Sequence, residues 1–275
     1  MLEALQMPFF VNALAAGILI AVAIGLIGPL TMANKMTFMS GGIAHATYGG
    51  VGAALFFGFS VLAGAALAAV VAAALISFIS YRYAHRADTA IGIVWAVGMA
   101  IGVIFSDLTP GYNVDLMSFL FGSILAVKST DLWIMALFDL AAVILVWLHY
   151  YDFTALSFDP VFARLKGVKT EFLHFLLLGL VAMTVVLSMR LVGLIMVIAL
   201  LTMPSFSSER FVNSLGSMML LSILLCIIYI TGGLFLAYMY DLSSGASVIL
   251  LAAFGTITLF LIKAVSKKSF KGIEK

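Results

Sequence analysis

Charge is what this sequence has least of: Asp, Glu, Lys and Arg make up 9% of its 275 residues, against roughly 25% in a soluble domain. With 64% hydrophobic residues beside them, water cannot be its main solvent. Cysteine is nearly absent too. Cys226 stands alone in an apolar run, which excludes an intrachain disulfide and a thiolate metal cluster. No GxxxxGK[ST] loop occurs, so the chain does not hydrolyse ATP in the P-loop manner, and no HExxH occurs to support a zinc peptidase. The net charge of +2 is too small to make nucleic acid a natural partner. The first residues, MLEALQMPFF, carry neither the positive region nor the small-residue site of a cleaved signal peptide.

What remains is long apolar runs. A bilayer core about 30 Å thick needs about 20 apolar residues per helical span, and stretches such as VLAGAALAAVVAAALI are apolar on every side rather than alternating, which argues for helices over a barrel. Nine candidate spans follow, at 9–30, 43–58, 60–80, 89–105, 132–150, 172–189, 191–203, 214–239 and 247–264. The second and seventh read as short, which marks them as pore candidates, because short or interrupted segments are tolerated where protein or a cavity surrounds them. The piece 116–127 is too short to span and reads as a re-entrant or interfacial helix. The expectation is one transmembrane domain over 1–275: an all-α polytopic membrane protein of about eight to nine transmembrane helices, with a short re-entrant helix and a cytoplasmic helix.

Basic residues orient it. With nine spans and a cytoplasmic C-terminus, twelve of the fourteen basic residues fall inside and only Lys128 and Arg190 outside, the bias that the positive-inside rule requires. The N-terminus is then outside, in a multi-pass inner-membrane protein whose other contact is lipid.

The longest polar inside loop is 151–171, YDFTALSFDPVFARLKGVKTE. Asp159 can cap a helix with Pro160 at its first position. Phe162 and Leu165 then share a face, Ala163 lies between them, and Gly167 can end the helix. Such a helix is either an ordinary loop or the element on which a cytoplasmic ATPase pushes.

Here the sequence resembles a known family. SFDPVFARLKGV is similar to the coupling segment of ABC importer permeases, and MTFMSGGIAHATYGG resembles the histidine segment of the zinc/manganese permease family. DTAIGI, VDLMSFLFGSILAV, RLVGLIMVIALLTMPS and YDLSSGASVILL resemble its other blocks, in the same order from Met36 to Leu251. The resemblance implies the permease of an ATP-driven importer, working by alternating access as a homodimer. Its partners would be two ATPase subunits, coupled through Asp159, Pro160, Phe162, Ala163 and Gly167, and an extracytoplasmic metal-binding protein. The substrate would be a divalent transition metal ion, with no permanently bound cofactor.

One position departs from the family. An aspartate often stands four residues before the histidine, on the same helix face; here that position is Gly41. Loss of a hard oxygen ligand points to zinc before manganese or iron. His45, between Gly41 and Gly49, reads as a metal ligand in the translocation path or as a packed histidine bonded to a carbonyl. Asp139 lies mid-span, where a charge costs about 2.5–3.5 kcal/mol on insertion scales. It reads as a second metal ligand meeting His45 across the pore, or as a buried acid that is protonated or bonded to a Ser, Thr or Tyr. His85, His149 and His174 read as interfacial. The rival functions are an importer for iron chelates or cobalamin, a stand-alone metal carrier, and an intramembrane enzyme, for which no catalytic constellation is present.

Overall fold

A computed structural model describes residues 6–109, 120–123, 127–189 and 191–271, and among these the regular structure is helical. The helices are α1 (Pro8–Ala33), α2 (Thr37–Phe57), α3 (Val61–Arg82), α4 (Ala87–Asp107), α5 (Ser129–Leu148), α6 (Tyr150–Phe158), α7 (Pro160–Leu165), α8 (Thr170–Ser188), α9 (Leu194–Glu209), α10 (Leu215–Tyr240) and α11 (Ser244–Lys271). Local chemistry sets several of the ends. Pro8 opens α1, Ser214 Oγ accepts the Ser217 N–H at α10, and Asp131 Oδ2 accepts the Lys128 N–H at α5; each meets the free N–H groups of a first turn.

Every one of the nine apolar runs is a helix. Seven are long and apolar enough to cross a membrane. The other two are α2 and α9, the pair read as short, and they differ in cause. α2 has 21 residues, so the expected shortness is corrected: the helix begins at Thr37, and Ser40, Gly41 and Gly42, which carry no apolar side chain, separate that start from the apolar run. α9 has only 16 residues and carries Pro204 inside it, giving roughly 24 Å of length against a core of about 30 Å. Most of the segment 116–127 lies outside the described residues, so the re-entrant reading does as well.

Hydrogen bonds between helix ends show the nine long helices alternating in direction. At one end of the bundle Asn12 donates to Ser129, Tyr238 contacts Met7 and Ser244 donates to the Leu191 carbonyl. At the other end Asn34 donates to Ser157, the Gly216 N–H donates to Tyr150, and Tyr81 meets Thr170. Loops of three to five residues join α1 to α2, α2 to α3, α3 to α4, α8 to α9, α9 to α10 and α10 to α11, as up-and-down packing requires.

Depth within the bundle follows composition. α2 is the most enclosed helix, with Ser40–Ala44 and Ala46–Gly52 all buried, and it packs against α3, α4, α8 and α9. α1 packs against α10, α9, α5 and α8. The small-residue stripe of α1 does what such stripes do: a Cβ on Gly25 would lie 2.5 Å from the Ile223 backbone of α10. The outer faces of α4, α5 and α11 expose large apolar side chains, among them Ile104, Leu137 and Phe254, as lipid contact demands. Several buried hydroxyls are satisfied within their own helices, for instance Thr47 to the Ile43 carbonyl and Ser205 to that of Leu201, which removes the cost of a bare donor in hydrocarbon; the buried Ser77 hydroxyl has no partner among the described residues.

The α2–α4 seam rests on contact between backbones. A Cβ on Gly49 would lie 2.7 Å from the Gly98 carbonyl oxygen, and one on Gly98 would fall 3.0 Å from the Ala46 Cβ. Gly98→Leu is expected to lower stability by about 1–3 kcal/mol through overpacking. Gly92→Leu on the same helix, which meets nothing within 4 Å, is expected to stay within about 0.5 kcal/mol of wild type. Thermal unfolding in detergent compares the two, and equal midpoints would contradict the close seam.

Candidate metal path and coupling helix

His45 sits on the enclosed helix α2, half-buried between the buried Ala44 and Ala46. Small neighbours let α4 come close, and α4 supplies the one ring that His45 touches. The Trp95 indole stacks on the imidazole with ring centroids 3.9 Å apart and planes 8° from parallel. Stacking occupies one face of the imidazole. Neither ring nitrogen has a hydrogen-bond partner among the described residues, and a neutral imidazole with a free nitrogen is a metal ligand by chemistry. The packed alternative, a histidine bonded to a neighbouring carbonyl, is not what the geometry has.

The space beside Gly41 is already lined. A Cβ there would lie 3.2 Å from Ile198 Cδ1 on α9 and 3.9 Å from the Trp95 ring. A side chain at position 41 would therefore project into the same corner as the His45–Trp95 stack. Sequence reasoning missed Trp95. It lies 50 residues from His45, and a tryptophan in a membrane helix carries no mark of a specific partner.

Asp139 lies elsewhere. With Asp131, Met135, Ala142 and Val146 it forms the buried face of α5, and α5 packs on α1. α2 and α5 are not among the helix pairs in extensive contact, so one chain does not bring Asp139 to His45. Its carboxyl is 7% exposed, and Oδ2 has no hydrogen-bond partner among the described residues. Among the described residues no Ser, Thr or Tyr holds that oxygen, so of the alternative reading it is the buried, protonated acid that matches the surroundings. No group of three His, Cys, Asp or Glu side chains converges among the described residues.

At the end of the bundle carrying Asn34 and Tyr150, α7 is built as its sequence suggests. Asp159 Oδ1 accepts the Val161 and Phe162 N–H groups at 2.9 and 3.0 Å, and Pro160 holds the first helical position. Gly167, at φ 87°, lets the chain reverse so that the Val168 N–H reaches the Ala163 carbonyl at 3.1 Å, a closure that favours glycine. Ala163 is the buried contact of this helix, whereas Phe158, Val161, Phe162 and Leu165 are exposed. Val161, Phe162 and Leu165 on the capped helix, with Phe158 at the end of α6, make an apolar surface at a polar end that is suited to a partner protein.

His174 is not interfacial as expected. It is buried, and its Nε2 lies 3.0 Å from Ser80 Oγ. His149, by contrast, is partly exposed and bonds through Nδ1 to the Leu145 carbonyl, and His85 lies in a single turn after α3.

Comparison with known proteins places this geometry. A profile of the ABC 3 transport family matches residues 6–265. The chain is 45% identical over 253 residues to the membrane protein slr2045 of Synechocystis sp., covering 92% of this chain and 90% of that protein. It is 32% identical over 260 residues to the manganese transport system membrane protein MntC of Halalkalibacterium halodurans, covering 94% and 88%. The solved structure of PsaBC from Streptococcus pneumoniae in complex with Fab superposes with a TM-score of 0.84 at 32% identity, over 95% of this chain and 93% of that one.

The stack offers a direct readout. With Trp133 and Trp147 replaced by Phe, the remaining Trp95 emission is expected to fall on acidification, because a protonated imidazole against its face quenches indole. His45→Ala is expected to abolish the response. A pH response that persists in His45→Ala would show that the two rings are apart.

Proposed function

The chain belongs to the ABC 3 transport family, and on that premise we propose that it is the permease subunit of an ATP-driven importer for a divalent transition metal ion. The observation that carries the reading is His45: an imidazole with free nitrogens on the most enclosed helix of a multi-pass bundle. The chain performs no covalent chemistry. Lacking a phosphate-binding loop, it relies on separate ATPase subunits, which dock on the exposed apolar side chains of α7. An extracytoplasmic metal-binding protein delivers the ion at the opposite end, and two copies of the permease form the working dimer.

In this scheme α7 faces the cytoplasm, which puts the N-terminus outside and agrees with the twelve basic residues on the inner side. The metal enters partly hydrated, exchanges one water for a His45 nitrogen and leaves when the bundle reopens inward. Because His45 supplies one ligand per chain, selectivity depends on what stands beside it. Gly41 gives no carboxylate, which favours zinc, a good imidazole binder, over the harder manganese; the manganese systems among the relatives favour manganese. Asp139, buried against α1, assists only if the partner copy brings it to the path.

Two experiments test the scheme. His45→Ala is expected to abolish ATP-dependent uptake of zinc and manganese with expression unchanged, since Ala44 and Ala46 show that small side chains fit there. Gly41→Asp is expected to shift competitive uptake toward manganese by adding a hard oxygen on the same face. Wild-type uptake in His45→Ala would remove the histidine from the path.

For coupling, Phe162→Asp and Gly167→Trp are expected to reduce ATPase co-purification while membrane insertion stays normal. Full co-purification and transport in both variants would remove α7 from the contact.

A further inference from the structure

α7 is joined to the bundle by chain continuity, by the buried Ala163 and by one long polar side chain. Arg164 Nη2 donates to the Tyr81 hydroxyl oxygen at 3.0 Å, and Nε donates to Thr170 Oγ1 at 3.4 Å. The two acceptors are 3.2 Å from each other, and the guanidinium carbon lies 5.7 Å from the centre of the Tyr81 ring. One planar cation thus closes a triangle with the last turn of α3 and the first turn of α8. Arginine suits the task because its donors have fixed directions and its charge is permanent.

A second rung lies just inside the first. Ser80 Oγ and His174 Nε2 are 3.0 Å apart and both residues are buried. Thr170 and His174 are one turn apart on α8, as neighbours on a helix face must be, and Ser80 and Tyr81 are adjacent on α3. α3 and α8 are therefore pinned to each other at this end with or without Arg164. What Arg164 adds is α7.

From α3 the path continues without slack. A Cβ on Gly64 of α3 would lie 2.5 Å from the Gly50 carbonyl oxygen of α2 and 2.7 Å from the Ala54 Cβ. Backbones at that distance do not slide freely, because packed interiors have no spare volume. α2 carries His45.

We propose that Arg164 is the positioning residue that passes displacement of α7 to α3, and through the α3–α2 glycine contact to His45. The inference rests on the importer reading. It goes beyond that reading by naming the side chain that ties ATPase movement to the metal path. Docking and transmission are then separate: exposed apolar residues of α7 seat the partner, and Arg164, on the bundle side, carries its movement inward.

The test uses the full complex with its ATPase, reconstituted in liposomes with the metal-binding protein. Arg164→Lys keeps the charge but loses the fork, and Tyr81→Phe removes only the hydroxyl. Both are expected to keep ATPase co-purification and ATP hydrolysis while metal taken up per ATP falls on the order of tenfold, the scale of one charge-assisted hydrogen bond. Spin labels at Leu165→Cys and Arg82→Cys, in a Cys226→Ala background, are expected to give a narrow distance distribution in wild type and a broad one in both variants. An unchanged uptake-to-ATP ratio, an unchanged distance distribution, or a proportional fall of hydrolysis and uptake overturns the proposal. Absence of zinc and manganese uptake by the wild-type complex overturns the importer reading instead, and the label distances still judge the Arg164 tie by themselves.

Discussion

Backbone-to-backbone contact around α2 is the constraint on which the rest of this molecule depends. Facing glycines bring α4 against one side of α2, at Gly49 and Gly98, and α3 against another, at Gly50 and Gly64. In hydrocarbon there is no hydrophobic force between helices, so such contacts hold a bundle by dispersion and by exclusion of lipid. The close approach has a second effect. It buries a helix too rich in Gly, Ser, Thr and His to face lipid, and so places one imidazole at the centre of an apolar bundle.

Around that centre the polar groups sort into two kinds. Most hydroxyls turn back to the preceding turn of their own helix, as Thr47, Thr184 and Ser205 do, and make no call on anything outside. His45 and Asp139 keep polar atoms without hydrogen-bond partners among the described residues, as the buried Ser77 hydroxyl does. Their surroundings differ: His45 is half-buried with an indole stacked on one face, whereas Asp139 is buried on the face of α5 that packs on α1.

At the other level of organisation, the end of the bundle holding α7 combines an apolar outward surface with a polar inward tie. The outward side chains Phe158, Val161, Phe162 and Leu165 have no reason to face water unless something covers them. The inward tie joins α7 to α3 and α8, and α3 and α8 both pack on α2. A short capped helix thus has a continuous route of packed elements to α2 and His45, the physical form that coupling between distant sites takes.

The nine apolar runs, the capped α7, the single buried cysteine and His45 were all legible in the sequence, because each depends on local properties: hydropathy over about 20 residues, a carboxylate before a proline, a glycine past a helix end. The length of α2 was not legible, since Ser40, Gly41 and Gly42 interrupt the apolar pattern and are buried only by the helices around them. The same holds for His174, which one residue of α3, Ser80, converts from an interfacial group into a buried clasp, and for Trp95, whose partner lies 50 positions away. That Asp139 faces α1 rather than His45 was likewise undecided, because periodicity shows which residues share a helix face but not which helix that face meets. Local chemistry made the helices and marked the histidine; only the packing of distant helices fixed what the histidine touches and how α7 reaches it.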